Sequence, residues 1–391
     1  MDFSLSDEVR MIRDAVRQFV DKELLPLERE YGFEEYNLPK EKRAELTRKV
    51  KDAGLWGLYV PHEYGGPVDI GHVGRVAVQE EIFATLVGHS AFGRPIIEGL
   101  YLCNEEQKER YLDPTITREK LAEVAITEPG AGSDPSMMTT SAEERDGRYV
   151  INGRKTLISG AEECDFVLLF ARLKGTEGRD GVTGFLVDAD TPGFTVEGPI
   201  PVIGMPTGAW TESPYEISFQ DVEVPASNVL GEPGQGWTIL QGSLGGIRLA
   251  FGARSVALSL KCLTLARDYA VGRVTFGRPI SERQAVQWML ADSAIAIESL
   301  RWINYHAAWK LDNGQDARSE ISMLKIAASE TVELVADRAI QIHGGIGLSK
   351  DLPFEHIYRA ARADRIVDGA NEIHRFLLAR SIVKGFWLPG Y

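Results

Sequence analysis

Residues 124–134 read Val-Ala-Ile-Thr-Glu-Pro-Gly-Ala-Gly-Ser-Asp. An apolar run, Val124-Ala125-Ile126, feeds a loop with a hydroxyl side chain near each end, Thr127 and Ser133, and with Gly130 and Gly132 between them. Glycines leave backbone N–H groups freely oriented, so such a loop can approach a planar or anionic ligand closely. A plain connection between two strands has the same composition, and the loop by itself leaves both readings open.

The chain changes texture at this point. N-terminal to it the pattern is helical. Ser6 before Asp7 and Glu8 is an N-cap with an acidic first turn, and Val9, Ile12, Val16, Phe19 and Val20 recur at helical spacing until Pro26. A second helix fits 39–53, and more helix follows to about residue 112. C-terminal to the loop come short β-type runs: Arg148–Ile151, Thr156–Ser159, Phe166–Ala171, Thr183–Val187, Phe194–Val196 and Tyr215–Phe219. Asn152-Gly153 between the first two is a type I′ hairpin signal. Strands this short and this numerous predict a barrel or sandwich. After Gly236 long helical segments fit 237–271, 282–311, 319–343 and 354–384. In the third, Ile321, Leu324, Ala328, Val332, Val335, Ala339 and Ile342 make one apolar face. The expected architecture is mainly α with a central β domain: an N-terminal helical domain over 1–118, a β-barrel or sandwich over 119–233, and an antiparallel four-helix bundle over 234–391.

Composition narrows the function. Forty-three Lys and Arg against 57 Asp and Glu give a formal net charge of −14, which argues against a nucleic-acid or anionic-membrane surface, though not against a local basic pocket. Cys103, Cys164 and Cys262 lie far apart, so neither a disulfide framework nor a zinc ribbon is expected, and a reducing, cytoplasmic setting fits. The N-terminus has no basic and apolar leader pattern, and no run of about 18 apolar residues predicts a membrane span. The three Gly-x-Gly sites lack the third glycine of a dinucleotide fingerprint. No Walker lysine, HExxH or GxSxG is present, and no metal site is expected.

Three further segments stand out. Gln341-Ile342-His343-Gly344-Gly345-Ile346-Gly347 ends a periodic helix; a C-terminal cap accounts for one glycine, and His343 reads as a packing or capping residue. Arg362 to Glu372 mixes acid, base and glycine within an apolar region, and Asp368 before Gly369 suits a turn as well as a site. Arg273-Val274-Thr275-Phe276-Gly277-Arg278-Pro279-Ile280 reads as a basic helix end with a turn, or as a ligand site.

In this order and at these separations the four segments resemble the acyl-CoA dehydrogenase flavoproteins over essentially the whole chain. TEPGAGSD at 127–134 and QIHGGIG at 341–347 look like the family's two signatures, and RVTFGRP followed by Gln284 is similar to its flavin-binding turn. The run from Phe219 through Val222, Val224 and Pro225 to Asn228-Val229-Leu230-Gly231 matches a further family pattern. The resemblance implies FAD between the β domain and the C-terminal bundle. Ile126, Thr127 and Ser159 match positions beside the isoalloxazine. Arg273, Phe276, Gln341 and Gly345 match positions that meet the FAD of a neighbouring subunit, which implies a homo-oligomer, a dimer or a tetramer. Ser133 matches a position on the acyl-CoA thioester arm, and Arg248 a helix arginine near CoA; Gly369 belongs with the substrate-binding positions and Glu372 lies near the adenine.

The implied reaction is α,β-dehydrogenation of an acyl-CoA, as in fatty-acid β-oxidation. A carboxylate removes the α-proton, hydride goes to flavin N5, and electrons pass to an electron-transfer flavoprotein. Most members carry Glu before Gly-Thr at the base position; here it is Asp368, one methylene shorter. The other base position of the family, before the helix arginine, is Ile247. DGxxEIH looks like the branch that includes the tenth and eleventh human family members, where Asp is usual, so Asp368 is expected to be the base. Leu157 stands where many members have Trp, and Ala370 and Glu372 replace the usual Thr and Gln. A flavin oxidase or monooxygenase on the same fold is the alternative, and a DNA-binding relative, disfavoured by the acidic charge, is a second.

Overall fold

Ser6 starts the first helix as its spacing requires: its hydroxyl accepts from the Val9 amide at 3.2 Å, ahead of Asp7 and Glu8 in the first turn. The computed structural model describes residues 4–204, 213–242 and 245–385. Numbering the longer helices in chain order gives α1 Asp7–Phe19, α2 Lys40–Asp52, α3 Gly71–Ile82, α4 Gly245–Gly272, α5 Gln284–Asp312, α6 Arg318–His343, α7 Phe354–Asp364 and α8 Asn371–Val383. Among the described residues the eight strands of the larger sheet follow the same order: β1 Ala122–Ala125, β2 Ser141–Arg145, β3 Arg148–Ser159, β4 Phe166–Leu173, β5 Val182–Asp188, β6 Phe194–Pro199, β7 Pro214–Pro225 and β8 Val229–Leu230.

The three segments read from the sequence are distributed over two compact units, Met1–Arg94 with Gly246–Tyr391, and Pro95–Gly245. Side chains explain the grouping. In the helical unit Val16, Val20, Leu24, Leu46 and Val78 share one core with Val256, Leu300, Leu324 and Val332. Lys261 on α4 donates to both carboxylate oxygens of buried Glu28, at 2.9 and 2.7 Å. Asp312, at the end of α5, accepts from the His72 and Val73 amides and so caps α3. Residues 105–112, within the expected N-terminal domain, are hydrogen-bonded to the strand segment of the sheet unit, with which they group by compactness. Gln107 donates to the carbonyls of Ser227 and Val229, both at 2.8 Å, and Asn228 donates to the Tyr111 hydroxyl at 2.9 Å.

Within the sheet unit the strands run in the order β6-β7-β3-β2-β4-β5-β8, with β1 parallel to β4 beyond the end of β2. The hairpin expected at Asn152-Gly153 is one step upstream, at Asp146-Gly147, where both residues have positive φ. Asn152-Gly153 instead lies inside the continuous strand β3, at a bulge. A Cβ at Gly153 would fall 2.6 Å from the Thr140 Cα, and Asn152 exchanges two side-chain hydrogen bonds with Asp221. Turn chemistry was legible there, but the close approach of a neighbouring strand uses it.

One other expectation changes. The segment 354–384 is two helices, α7 and α8, broken at the turn that carries Asp368-Gly369. The stretch Gly236–Gly272 is long and apolar enough to cross a membrane, and 67% of its apolar window is buried inside the protein, as in a core helix. Cys103, Cys164 and Cys262 are buried and unpaired, and burial pushes each thiol up to about 12.

One buried ion pair holds the sheet unit's polar interior together. Lys155 on β3 and Glu128 are both almost wholly excluded from solvent, with Nζ 2.9 Å from Oε1. Burial acts to raise the Glu128 carboxyl, but Lys155 and the donors of Thr139 and Thr140 outweigh it and hold it at about 2; burial pulls Lys155 down to about 8. The pair is therefore ionised at neutral pH. Lys155→Met strips the charge from a buried carboxylate's partner and is expected to destabilise the protein by about 3–5 kcal/mol, read as a lower denaturant midpoint; an unchanged midpoint contradicts this. Because the folded Glu128 value lies below its ordinary 4.5, its contribution is complete above that pH and lost as pH falls toward 2. Glu128→Gln should accordingly flatten the acid limb of a stability–pH curve.

Candidate active site

The loop after β1 is built outward from the same ion pair. Glu128 and Ala131 exchange two backbone hydrogen bonds at 3.1 Å, which closes a tight turn over Pro129 and Gly130. The Glu128 carboxylate reaches back to the Thr139 amide at 2.6 Å and the Thr140 amide at 2.9 Å. Lys155 Nζ donates to the Ile126 carbonyl at 2.8 Å, and the Thr156 amide donates to the Thr127 carbonyl at 2.9 Å. Ile126 and Thr127 are thus brought beside the end of β3, which carries Ser159. The remainder of the loop is open: Gly132 and Ser133 are exposed, and nothing lies within 4 Å of the positions a Cβ would take at Gly130 and Gly132.

Leu157 lies at the second bulge of β3 with φ +59 and is half exposed. A leucine in the left-handed region with its side chain outward contributes little to the core. It offers an apolar surface beside Ser159 and the loop.

In the helical unit RVTFGRP forms a miniature hairpin. Val274-Thr275 pairs with Arg278-Pro279, and Phe276 and Gly277 take positive φ at the tip. Phe276 is 97% exposed. An aromatic ring in a left-handed turn, held in solvent, is unfavourable on both counts and fits a ring that packs on a ligand or a second chain. Arg273 and Gln284 flank the hairpin and are exposed. At the end of α6 the three glycines separate by role. Gly344, at φ +64, caps the helix; a Cβ at Gly347 would strike the Ile340 carbonyl at 2.6 Å; Gly345 faces open space beside exposed Gln341. His343 stacks on Tyr269 and bonds the Ala339 carbonyl through Nδ1 at 2.8 Å, a packing and capping residue as read.

The turn between α7 and α8 concentrates charge. Asp368 has φ +55 and an exposed side chain, and Gly369 has φ +97. Arg248 on α4 donates to the Asp368 carbonyl through Nε at 3.2 Å and Nη2 at 2.9 Å. The arginine expected near CoA therefore has its guanidinium on this turn, and Arg248, Asp368 and Gly369 meet in one place. Beneath them Arg254 makes a bidentate pair with buried Asp364 at 2.7 and 2.8 Å, and fully buried Lys325 donates to the Asp364 carbonyl at 2.6 Å. Burial pulls Lys325 down to about 8, opposed by the charges of Asp368 and Asp364. Glu372 sits exposed in the first turn of α8.

Lys155 and Lys325 did not stand out in the sequence, and Asp364 and His374 were quoted there only as members of longer segments, with no role of their own. Their signal was present: a lysine in the strand segment after Asn152-Gly153, a lysine beside Leu324 on the apolar face of α6, and an aspartate and a histidine on the inner faces of two short helices.

The chain matches the acyl-CoA dehydrogenase N-terminal domain over residues 6–119, the middle domain over 124–222 and the C-terminal domain over 234–383. It is 37% identical to (R)-benzylsuccinyl-CoA dehydrogenase of Thauera aromatica, over 98% of this chain and 97% of that one. Among solved structures it is similar to butyryl-CoA dehydrogenase of Megasphaera elsdenii, with TM-score 0.86 and 30% identity over 98% of this chain and 100% of that one. It is also similar to an FAD complex of PigA, with TM-score 0.86 and 28% identity over 98% and 99%. The fold, the two signature loops and these matches along the whole chain agree: the protein belongs to the acyl-CoA dehydrogenase family, oxidoreductases acting on a CH–CH group.

Proposed function

We propose that the protein dehydrogenates an acyl-CoA thioester to the 2-enoyl-CoA, with FAD as cofactor, Asp368 as the base and an electron-transfer flavoprotein as acceptor. The observation that carries the reading is the Asp368 turn: an exposed carboxylate in a left-handed backbone, its carbonyl held by two hydrogen bonds from Arg248. A monooxygenase has less need of a fixed carboxylate, whereas an acyl-CoA oxidase would use the same base and is told apart by rapid reoxidation of its reduced flavin by oxygen.

The residues present fit FAD. The backbone of the loop at Gly130 and Gly132 is open to a ligand, and the exposed ring of Phe276 offers an apolar face. Ile126, Thr127 and Ser159 are assigned to the flavin, and Arg273, Phe276, Gln284, Gln341, Gly345 and Glu372 to the remainder of the cofactor, in part that of a neighbouring subunit; Ser133 and Gly369 are assigned to substrate. FAD, when bound, supplies the acceptor for the β-hydride.

The chain's own work is proton removal and positioning. The α-proton of a thioester is weakly acidic, so the reaction needs a carboxylate held within hydrogen-bond reach of it. Asp is shorter than Glu by one methylene, and a misplacement of roughly 1 Å can cost about 10²-fold; a fixed backbone is what keeps the shorter side chain in range. Asp368→Asn should keep its fold and FAD and lose turnover by about 10²–10⁴-fold, with a smaller effect on KM. Near-parental turnover contradicts Asp368 as base.

Self-association follows from the face of α5. Trp288, Ile295, Trp302 and Trp309 recur every seventh residue, and all four are at least 43% exposed. Such a stripe runs about 30 Å along the helix, and a second copy of the chain is the occupant that also provides a neighbour for Phe276. Ile295→Glu is expected to shift the protein toward monomer in sedimentation and to lower its FAD content. An unchanged mass would count against this face.

A further inference from the structure

On α8, six residues beyond Asp368, His374 is 2% exposed, and its two ring nitrogens have different surroundings. Nδ1 lies 3.3 Å from the Ser322 hydroxyl on α6. That hydroxyl also donates its own proton to the Arg318 carbonyl at 2.9 Å. Nδ1 is thus on the α6 side of the ring. Nε2 is buried without a hydrogen-bond donor. It faces the Asp368–Gly369 turn: a Cβ built on Gly369 would sit 3.0 Å from Nε2 and 3.4 Å from Arg248 Nη2. Nε2 and the guanidinium thus flank the same α-carbon. Burial, and then the Arg248 charge, hold the ring at about 4 against the Asp368 carbonyl, which favours a proton on the ring, so it stays neutral around pH 7.

An unpartnered buried nitrogen is costly unless its dipole is used. Here the nearest charge is the cation that donates twice to the Asp368 carbonyl. We propose that His374 is a positioning residue for the α-proton base: its neutral ring, anchored to α6, packs on Gly369 beside the Asp368 carbonyl and Arg248, and keeps the guanidinium on that carbonyl. The turn then stays in the left-handed conformation that sets where the short carboxylate points. Any side chain at 369 would displace either ring or guanidinium, which is why that position is glycine. The inference rests on the reading of Asp368 as base.

The test compares His374→Leu, which keeps bulk and removes both ring nitrogens, with His374→Gln, which keeps a polar group that can donate and accept. Both are studied as holoproteins with the acyl-CoA that the parent turns over fastest and with its α-deuterated form. The Leu variant is expected to lose ~100-fold in kcat and the Gln variant ~10-fold, with KM within about twofold and a larger α-deuterium isotope effect than the parent. Backbone amides of residues 365–371 should exchange faster with solvent deuterium, at parental FAD content. Should the Leu variant fail to fold, the Gln variant decides by the same readouts. Parental kcat and amide exchange overturn the proposal, as does a loss of activity that only tracks lost FAD. A fully active Asp368→Asn would instead remove the base reading, so the two failures are told apart.

Discussion

Lys155 and Glu128 form the interaction on which the candidate site depends. A loop can offer its backbone to a ligand only if something else fixes it, and here the fixing is done underneath. Lys155 ties the Ile126 carbonyl to the Glu128 carboxylate, and Glu128 gathers the amides of Thr139 and Thr140. Every partner of the pair is drawn from the inner side of the loop, so Gly130, Gly132 and Ser133 are left facing outward. A buried ion pair is a poor source of net stability compared with apolar packing. Its value here is geometric, because it leaves one well-defined arrangement for the residues on either side of Thr127.

The helical unit solves a related problem with a break in a helix. Asp368 would be one more turn of an uninterrupted helix if 354–384 were continuous. Instead α7 stops at Asp364, where a bidentate pair with Arg254 and the Lys325 bond to the Asp364 carbonyl fix its end. α8 restarts at Asn371, whose side-chain amide donates to the Ser329 hydroxyl at 2.9 Å. Between these two anchored ends the chain has few residues in which to turn, and two of them take positive φ. The positive φ at Asp368, a residue with a Cβ, is tolerated because Arg248 bonds its carbonyl.

The helical, β and helical order of the chain was legible because hydrophobic spacing changes from helical to strand-like near residue 120 and back after Gly236. Most strands lie where their β-branched and aromatic runs put them. Asn152-Gly153 misled because a glycine required by a neighbouring strand carries the same letters as a glycine required by a turn. The break at 365–370 was hidden by apolar residues on both sides that continue a helical period. Asp368 stood out only because it precedes a glycine inside a motif. Lys325 was invisible as a site residue and His374 was only the last letter of a motif, since a polar residue on an apolar face reads as a defect in the pattern until its partners are known. The grouping of residues 105–112 with the sheet rests on hydrogen bonds from Gln107 and Asn228 across more than 100 residues, which no local pattern records.

The central claim is that this chain removes an α-proton and a β-hydride from a CoA thioester. Anaerobic titration of the FAD-loaded protein with a panel of straight, branched, aromatic and dicarboxylic acyl-CoA thioesters tests it most directly. At least one thioester is expected to bleach the flavin absorbance, with an enoyl-CoA formed in equal amount. Flavin that stays oxidised with every thioester in the panel would contradict it.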